Sequence, residues 1–218
     1  MRARARLPRP GGGETRRTHE GEETLLATQL ETDRGIVRVP TGTWTVDGSH
    51  SSVEFRVKHM MISTVRGHFG AFAGTIEAAP DYNDSTVRGS IQAASIDTNE
   101  PRRDEHLRSA DFFDVENYPT IEFASTRIEH ADRGDYRVTG DLTMHGETHP
   151  VTLDVTVHGV TRDSEGRDRV GLEARGTLNR SDFGLRWQQA LETGGVLVGD
   201  EVRVSADIAA VCDERAEA

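Results

Sequence analysis

The chain has 218 residues, of which 34% are hydrophobic and 29% charged, and its formal net charge is −11. This length suits one domain with a sizeable core. The acidic balance argues against a protein that binds nucleic acid or anionic membranes over its whole surface, so an anionic ligand would need a local basic site. The single cysteine, Cys212, excludes an intrachain disulfide and a thiolate metal cluster.

Residues 1–40 differ in composition from the rest of the chain. They carry eight Arg and six Asp or Glu, a balance of +2, whereas the remainder carries 18 basic and 31 acidic residues, a balance of −13. No apolar segment follows Arg16-Arg17, so we expect no signal peptide and a cytoplasmic location. We expect a flexible extension over 1–40, with weak electrostatic contact to a membrane or nucleic acid as its alternative role. No apolar run reaches the roughly 20 residues of a membrane span.

From Thr41 onward the sequence is typical of short β-strands separated by turns. The segment 44–59 predicts a first hairpin, in which a turn at 47–50 joins two strands and the second strand alternates apolar and charged residues. The alternation over 67–79 changes near Ala73-Gly74, which predicts a bulge or bend there. Further strands are predicted at 85–96, 120–129, 136–144, 151–157, 169–178 and 201–210.

One helical segment and one irregular segment, 180–199, interrupt these strands. Asn99 is a suitable helix cap, Pro101 suits the first turn, and Leu107 and Ala110 would face inward. About nine strand segments with short connections predict an antiparallel sheet, and closure into a barrel removes its edges. The many Ala and Gly at strand positions favour an internal cavity, and a fully packed barrel is the alternative.

A series of motifs in the same order resembles the YceI family of lipocalin-like bacterial barrels. The motifs are W-T-V-D-x-x-H-S-x-V-x-F at 44–55, V-K-H at 57–59, G-H-F-G-x-F-x-G at 67–74, S-I-D-T-N at 95–99, R-D-E-H-L-R-S-A-D-F-F-D at 103–114, N-Y-P-T-I-E-F at 117–123, G-D-L-T-M-H-G-x-T-x-P-V at 140–151 and N-R-S-D-F-G at 179–184.

The resemblance implies an all-β fold, an extended antiparallel lipocalin-like barrel of about eight strands with short helical excursions. We place this domain at 41–212 and a C-terminal tail at 213–218. The resemblance also implies a long apolar ligand, an isoprenoid or polyprenyl lipid or a similar amphiphile. It brings no catalytic mechanism, and we expect no cofactor. Many members are exported, and this chain departs from them because it shows no export signal.

A cavity for such a lipid needs apolar walls, with polar groups at its mouth for a head group. The candidate polar residues are His50, Ser51, His59, Arg103, His106 and Arg180. The candidate wall residues are Phe55, Phe69, Phe72, Phe112, Phe113, Phe123, Met144, Phe183 and Trp187. Each has an ordinary alternative, because strand aromatics commonly fill cores and His50 and His59 could simply fix turns.

Other kinds of site are less well supported by the sequence. His145 and His149 bracket a predicted turn at 146–148, but a zinc site would need a further ligand such as His68, His106 or His158. We therefore expect no metal site. The chain has neither a G-x-S-x-G motif nor a P-loop.

We therefore expect a non-enzymatic protein that encloses an isoprenoid-type lipid for storage, transport or stress-related handling. An enzyme acting on a small apolar or lipid substrate inside the barrel is the alternative, and a stress-related structural protein is a third hypothesis. A buried acid–base pair with strongly shifted pKa values would favour the enzyme. Similar barrels often pair, which leaves a homodimer open.

Overall fold

The computed structural model describes residues 32–33, 36–189 and 196–215. Two short strands, β1 (Thr32–Asp33) and β2 (Ile36–Val37), pair with each other. The other strands form one sheet: β3 (Gly42–Val46), β4 (Ser52–His59), β5 (Ser63–Phe69), β6 (Phe72–Ala78), β7 (Thr86–Gln92), β8 (Ile96–Asp97), β9 (Thr120–Asp132), β10 (Asp135–Met144), β11 (Glu147–Arg162), β12 (Asp168–Asn179) and β13 (Val198–Arg215).

The sheet closes into an antiparallel barrel. Its strand order is β3-β6-β7-β9-β10-β11-β12-β13, and β13 returns to β3. Closure follows from the length of β13, which pairs with β12 along one edge and with both β3 and β4 along the other. A closed sheet leaves no exposed edge among these strands. The predicted eight-stranded antiparallel barrel is confirmed.

The predicted hairpin over 44–59 is wrong. β3 and β4 both pair with β13, at Val46 opposite Ala210 and at Ser52 opposite Asp207, so they are successive parts of one path along the barrel. A 3₁₀ turn at Gly48–His50 breaks this path. The first hairpin within the barrel sheet is instead β4–β5.

Two further strand paths break at similar positions. The predicted bend near Ala73-Gly74 lies at Gly70-Ala71, where the Gly70 N–H donates to the Ser95 carbonyl at 3.1 Å. The predicted strand 85–96 is interrupted by a 3₁₀ turn at Ala93–Ser95. The three breaks lie between β3 and β4, between β5 and β6, and between β7 and β8. One strand from each broken path, β4, β5 and β8, joins a ladder that extends the barrel at one end.

One helix, α1 (Pro101–Arg108), is present in the described residues, and no described helix is long and apolar enough to cross a membrane. The predicted cap is wrong by one residue, because the Glu100 carboxylate accepts the N–H groups of Arg102 and Arg103. Leu107 packs inward as predicted. Ala110 is exposed, contrary to prediction, because the helix ends before it.

Two separate clusters of buried side chains fill the two ends of the barrel. We call the end with the start of β3 and β12 the Trp44 end, and the end with α1 and segment 109–119 the Phe112 end. At the Trp44 end, fully buried Trp44 packs with Ile76, Tyr136 and Val170, and its indole N–H donates to the Pro40 carbonyl at 2.8 Å. The other cluster comprises Phe69, Ala93, Ile96, Ile121, Met144, Phe183 and Leu185.

The proposed domain limits are not tested by this architecture. β13 continues into the predicted tail as far as Arg215, and Pro40 lies within the predicted extension. Most of the extension, and residues 216–218, lie outside the described residues.

Candidate functional site

A cavity of about 400 Å³ occupies the barrel interior. Its lining extends from Val39 and Tyr82 at the Trp44 end to Phe112 and Leu185 at the Phe112 end. This volume lies within the range of roughly 300–1,000 Å³ that is usual for small-molecule sites. The cavity is therefore large enough to hold a ligand.

The middle of the cavity is open because small side chains meet there. Gly74 lies opposite Gly89 across β6 and β7, and Ala174 lies opposite Ala206 across β12 and β13. All four line the cavity. A Cβ atom added at Gly89 would come no closer than 3.9 Å to a neighbouring atom. We call these four residues the small-residue layer.

Most lining side chains are apolar. Charged side chains lie at its ends, with Arg38 at the Trp44 end and Arg180 at the Phe112 end. Glu54 and Arg88 also border the cavity, but they occupy strand positions that alternate with Phe55 and Gly89, and Arg88 is exposed. The centre of the cavity is consequently suited to an apolar chain.

The structure places most predicted wall residues on the cavity. The lining includes Phe55, Phe69, Phe72, Phe112, Phe113, Phe123 and Met144. Phe69 contacts the rings of Phe55 and Phe113, with centroid distances of 5.7 and 6.0 Å. Phe183 and Trp187 do not line it: Phe183 is buried against His149, at 5.2 Å between ring centroids. The ligand role of the wall residues stays a prediction.

An aromatic cluster covers the Phe112 end. Trp187 lies 4.9 Å from His106 and 5.3 Å from Phe112 between ring centroids. The His106 ring also lies 2.8 Å from an Asp111 carboxylate oxygen. Here β8 has two residues and pairs with β5, so α1 and segment 109–119 occupy the space between β8 and β9. Side-chain packing therefore contributes to closure where the ladder is interrupted.

Arg180 holds this cover in place. Its buried guanidinium donates to the carbonyls of Gly199 and Trp187, each at 3.0 Å, and lies 3.1 Å from the Asp200 carboxylate. Burial lowers the pKa of Arg180, while Asp200 opposes that shift. These contacts tie the segment before residue 190 to the start of β13, so Arg180 acts as a positioning residue.

The other predicted polar residues have structural contacts outside the cavity lining. Arg103 donates to the Thr98 hydroxyl at 2.7 Å and to the Thr98 carbonyl at 2.9 Å. The His50 side chain is 68% exposed and lies 2.8 Å from Asp47. The Ser51 hydroxyl accepts the Ala209 N–H at 3.0 Å, which supports the break between β3 and β4. Their contact with a ligand stays a prediction.

His59 ends β4, opposite Ser63 of β5. Its carbonyl accepts the Ile62 N–H at 3.2 Å, which closes the β4–β5 turn. His59 is not among the cavity-lining residues. This contact agrees with the alternative expectation that His59 fixes a turn. A ligand role for His59 stays a prediction.

Sequence reasoning missed the polar groups at the Trp44 end. The Arg38 guanidinium carbon lies 5.6 Å from the Tyr82 ring centroid, and the Tyr82 and Tyr136 centroids are 5.9 Å apart. Burial raises the pKa of Tyr136, and the positive charge of Arg38 opposes this shift. The alternation Ile-Val-Arg-Val at 36–39 is the signal that could have assigned Arg38 to the barrel.

Two carboxyl groups with strongly lowered pKa values lie away from the cavity lining. The pKa of Asp47 falls well below its usual range because Arg169 and then His50 hydrogen-bond to it. The pKa of Asp163 falls to about 2, chiefly because it accepts the Arg167 backbone N–H and secondarily through Arg169. Arg169 lies 2.6 Å from Asp47 and 2.9 Å from Asp163. This arrangement ties the β3–β4 break to the β11–β12 turn.

His145 and His149, the candidate zinc ligands, each contact an aromatic ring instead. His145 lies 4.7 Å from Tyr118 between ring centroids, while His149 contacts Phe183. Across the described ranges, no three His, Cys, Asp or Glu side chains form a group that could hold a metal ion. The predicted hairpin turn is present, but its predicted bounds of 146–148 are wrong: β10 ends at Met144 and β11 begins at Glu147, which leaves His145-Gly146 as the connection.

A closed barrel around an apolar cavity defines the class of ligand-enclosing β-barrel proteins. The chain belongs to the YceI family, because the YceI-like domain matches residues 44–210. UPF0312 proteins of Staphylococcus aureus strains MSSA476 and MW2 are each 40% identical over 167 residues, covering 75% of this chain and 94% of theirs. The predicted resemblance is confirmed.

Solved structures share the fold. BcnA of Burkholderia cenocepacia is 26% identical, with a TM-score of 0.64, covering 75% of this chain and 98% of BcnA. The Campylobacter jejuni YceI protein is 28% identical, with a TM-score of 0.62 and coverages of 72% and 90%. A polyisoprenoid binding domain of Saccharophagus degradans is 15% identical, with a TM-score of 0.59 and coverages of 78% and 98%. At that identity, the last likeness concerns the fold alone.

Proposed function

We propose that this protein binds an isoprenoid or polyprenyl-type lipid inside the barrel, for storage or transport. The observation that carries this proposal is the apolar cavity that joins the two ends through the small-residue layer. The polyisoprenoid binding domain of S. degradans lends support because it has the same fold.

The shape of the interior favours a long chain over a compact ligand. Strands of about ten residues, tilted by roughly 40°, span about 25 Å along a barrel axis. Burial of an apolar chain contributes roughly 25 cal/mol per Å² without requiring specific hydrogen bonds. An amphiphile would lay its chain across the small-residue layer and keep its head group at a polar end of the cavity.

We further propose a binding role without catalysis. The carboxyl groups Asp47 and Asp163, whose pKa values are strongly lowered, lie outside the cavity lining. Tyr136 and Arg180 do border it, and burial is the leading cause of both pKa shifts. Because Asp47 and Asp163 lie away from the cavity, they cannot serve there as an acid or base with a strongly shifted pKa. Their position supports a carrier.

Mass spectrometry of the purified protein tests the proposal. We expect the intact protein to carry one lipid mass under native conditions, and an organic extract to contain an isoprenoid at a matching molar amount. If the protein has the apo mass and gains none when offered polyprenyl lipids of several lengths, the proposal fails. Turnover of the offered lipid during incubation would instead favour an enzyme.

A further inference from the structure

The β4–β5 turn presents three consecutive apolar side chains to solvent. Met60 is 39% exposed, Met61 60% and Ile62 83%. Single exposed apolar residues are ordinary on protein surfaces, whereas a contiguous group commonly marks a contact surface. We call Met60–Ile62 the apolar tip.

The turn geometry does not explain these residues. Met60 and Met61 have φ angles of 51° and 60°, which lie in the left-handed region that favours Asn and Gly. The Met60 N–H donates to the Leu197 carbonyl at 2.7 Å, which helps to hold this conformation. Folding alone would favour Asn-Gly here, so the two Met side chains point to a role outside the fold.

A row of basic side chains lies on the strands behind the apolar tip. Arg203 of β13 is opposite Arg56 of β4, which is opposite Arg66 of β5. Lys58 lies on β4 between this row and the tip. Like charges at opposed strand positions destabilise a sheet, although Glu201 lies 3.2 Å from Arg203 and Glu54 lies 3.9 Å from Arg56. We call Arg56, Lys58, Arg66 and Arg203 the basic row.

The basic row contrasts with the charge of the whole chain, which is −11. In the part of the chain that the structure describes, Lys58 and Arg66 form no ion pair with a carboxylate. The charges of Lys58 and Arg66 are thus available to a negatively charged partner, whereas Arg56 and Arg203 each lie within 4 Å of a glutamate. Basic side chains beside exposed apolar groups are the combination that binds anionic lipid surfaces.

The apolar tip adjoins the Phe112 end of the cavity. His59, immediately before the tip, pairs with Val198, and Val57 pairs with Val202. Val57, Val198 and Val202 all line the cavity. The same strands that carry the basic row on their outer positions therefore form the cavity wall on their inner ones.

We infer that the apolar tip and the basic row dock this end of the barrel on an anionic membrane surface. Four residues along a tilted strand separate the tip from the Arg56–Arg66 pair by about 10 Å. This matches the roughly 5–10 Å to which interfacial apolar groups enter a bilayer. The tip would enter the acyl boundary while the basic row meets lipid phosphates. The inference rests on the proposed function, since the membrane would then supply or receive the enclosed lipid.

Vesicle flotation with the full chain tests this inference. We expect the protein to float with vesicles of equimolar phosphatidylglycerol and phosphatidylcholine at low salt, to float far less at high salt, and to stay unbound with phosphatidylcholine alone. The variant M60N/M61G/I62S removes the apolar tip while supplying residues that suit the positive φ angles of the turn, so we expect it to fold. We expect it to bind at least tenfold more weakly.

A charge-matched pair of variants tests the basic row. K58Q/R66Q should weaken binding about fivefold for each charge removed, since one basic residue contributes about 1 kcal/mol at an anionic surface. R127Q/R137Q removes two charges from β9 and β10 and should bind as the wild type does. If the wild type does not bind anionic vesicles, or if the tip variant binds unchanged, the inference is wrong.

Two further measurements distinguish a failure of membrane docking from a failure of the proposed lipid binding. Native mass spectrometry of the tip variant reports lipid occupancy, so a variant that retains lipid but loses vesicle binding leaves the proposed function intact and supports the inference. Light scattering reports the oligomeric state. A wild type that ignores vesicles and dimerises, with a monomeric tip variant, would assign the tip to a second copy of the chain and overturn the inference.

Discussion

The two ends of the barrel are closed by different means. At the Trp44 end, β10, β11 and β12 are continuous strands whose ladder has one register shift, between Val157 and Gly159. They pack around a fully buried Trp44, and Arg169 links Asp47 to Asp163 outside the barrel. At the Phe112 end, three strand paths are interrupted, and closure relies on α1, Phe112, Trp187 and the segment held by Arg180.

This difference indicates which end of the barrel a ligand can pass through. Opening the Trp44 end requires breaking ladder hydrogen bonds and exposing a packed cluster, whereas opening the Phe112 end requires the displacement of Phe112 and Trp187. Each ladder bond contributes about 1 kcal/mol net, and exposing the cluster adds a larger apolar cost. We therefore expect the Trp44 end to supply stability and the Phe112 end to admit the ligand.

We expect the strongest effect from a substitution that fills the cavity between the two ends. Gly89→Leu should fill the small-residue layer and abolish lipid retention, since an added Cβ there meets no atom closer than 3.9 Å and the fold should tolerate it. Gly171→Leu is the matched control, because its added Cβ also has its nearest neighbour at 3.9 Å and Gly171 does not line the cavity. Native mass spectrometry should show lipid on the control alone. If both variants carry the same amount of lipid, the lipid does not bind in the cavity.

The two tryptophans compare the ends directly. Trp44→Ala should lower the free energy of unfolding by about 3 to 5 kcal/mol, because it leaves a hole in a fully buried cluster. Trp187→Ala removes a partly exposed ring and should cost about 1 kcal/mol. Urea unfolding measures both. Trp187→Ala should also speed the exchange of bound lipid, and a slower or unchanged exchange rate would contradict entry at the Phe112 end.

The sequence was informative where the alternation of residue types was regular. The strands from β9 to β13 could be located because their inward residues are apolar and their outward residues polar, as in Val151, Leu153 and Val155. The small residues predicted a cavity, but at Gly140 a neighbouring ring occupies the space, since an added Cβ would lie 2.5 Å from Phe123. Composition alone cannot distinguish such a filled position from the open one at Gly89.

The pairing of strands β3 to β8, whose paths are interrupted by turns, was harder to predict, for a physical reason. Alternation shows that 44–46 and 53–57 are strands, but it does not show which strand each one pairs with. The turn at 47–50 suits a hairpin, and only the length of β13 allows it to pair with both segments. Arg180 was correctly expected at an irregular segment, but carbonyl groups supplied by distant residues determine its contacts.

A smaller effect concerns the β4–β5 turn at the Phe112 end. The double substitution M60N/M61G should raise the free energy of unfolding by about 1 kcal/mol, because both positions have positive φ and Asn-Gly suits them. Thermal unfolding and urea titration measure the change. Asn-Gly at Thr148-His149, inside β11, should instead destabilise the barrel. A destabilised turn variant would show that the Met side chains support the fold.

The smallest effect, and the one most dependent on pH, concerns the ion pairs at the Trp44 end. Folding lowers the pKa of Asp47 and Asp163 below the ordinary value of 3.8, so their contribution to stability is present above that value and is lost as the pH falls through the folded-state values. Arg169→Met should therefore destabilise the protein at pH 7, and its difference from wild type should shrink as the pH falls from 4 towards 2. Urea unfolding across this range measures it.

The matched control for that titration is Arg137→Met. Arg137 lies 3.8 Å from an exposed Asp154, and such surface pairs contribute little. Its unfolding free energy should follow that of the wild type at every pH. Because Arg167 supplies the leading cause of the Asp163 shift, Arg169→Met should remove most of the pH dependence due to Asp47 and only part of that due to Asp163. A pH-independent difference would mean that Arg169 supports the Trp44 end through packing rather than charge.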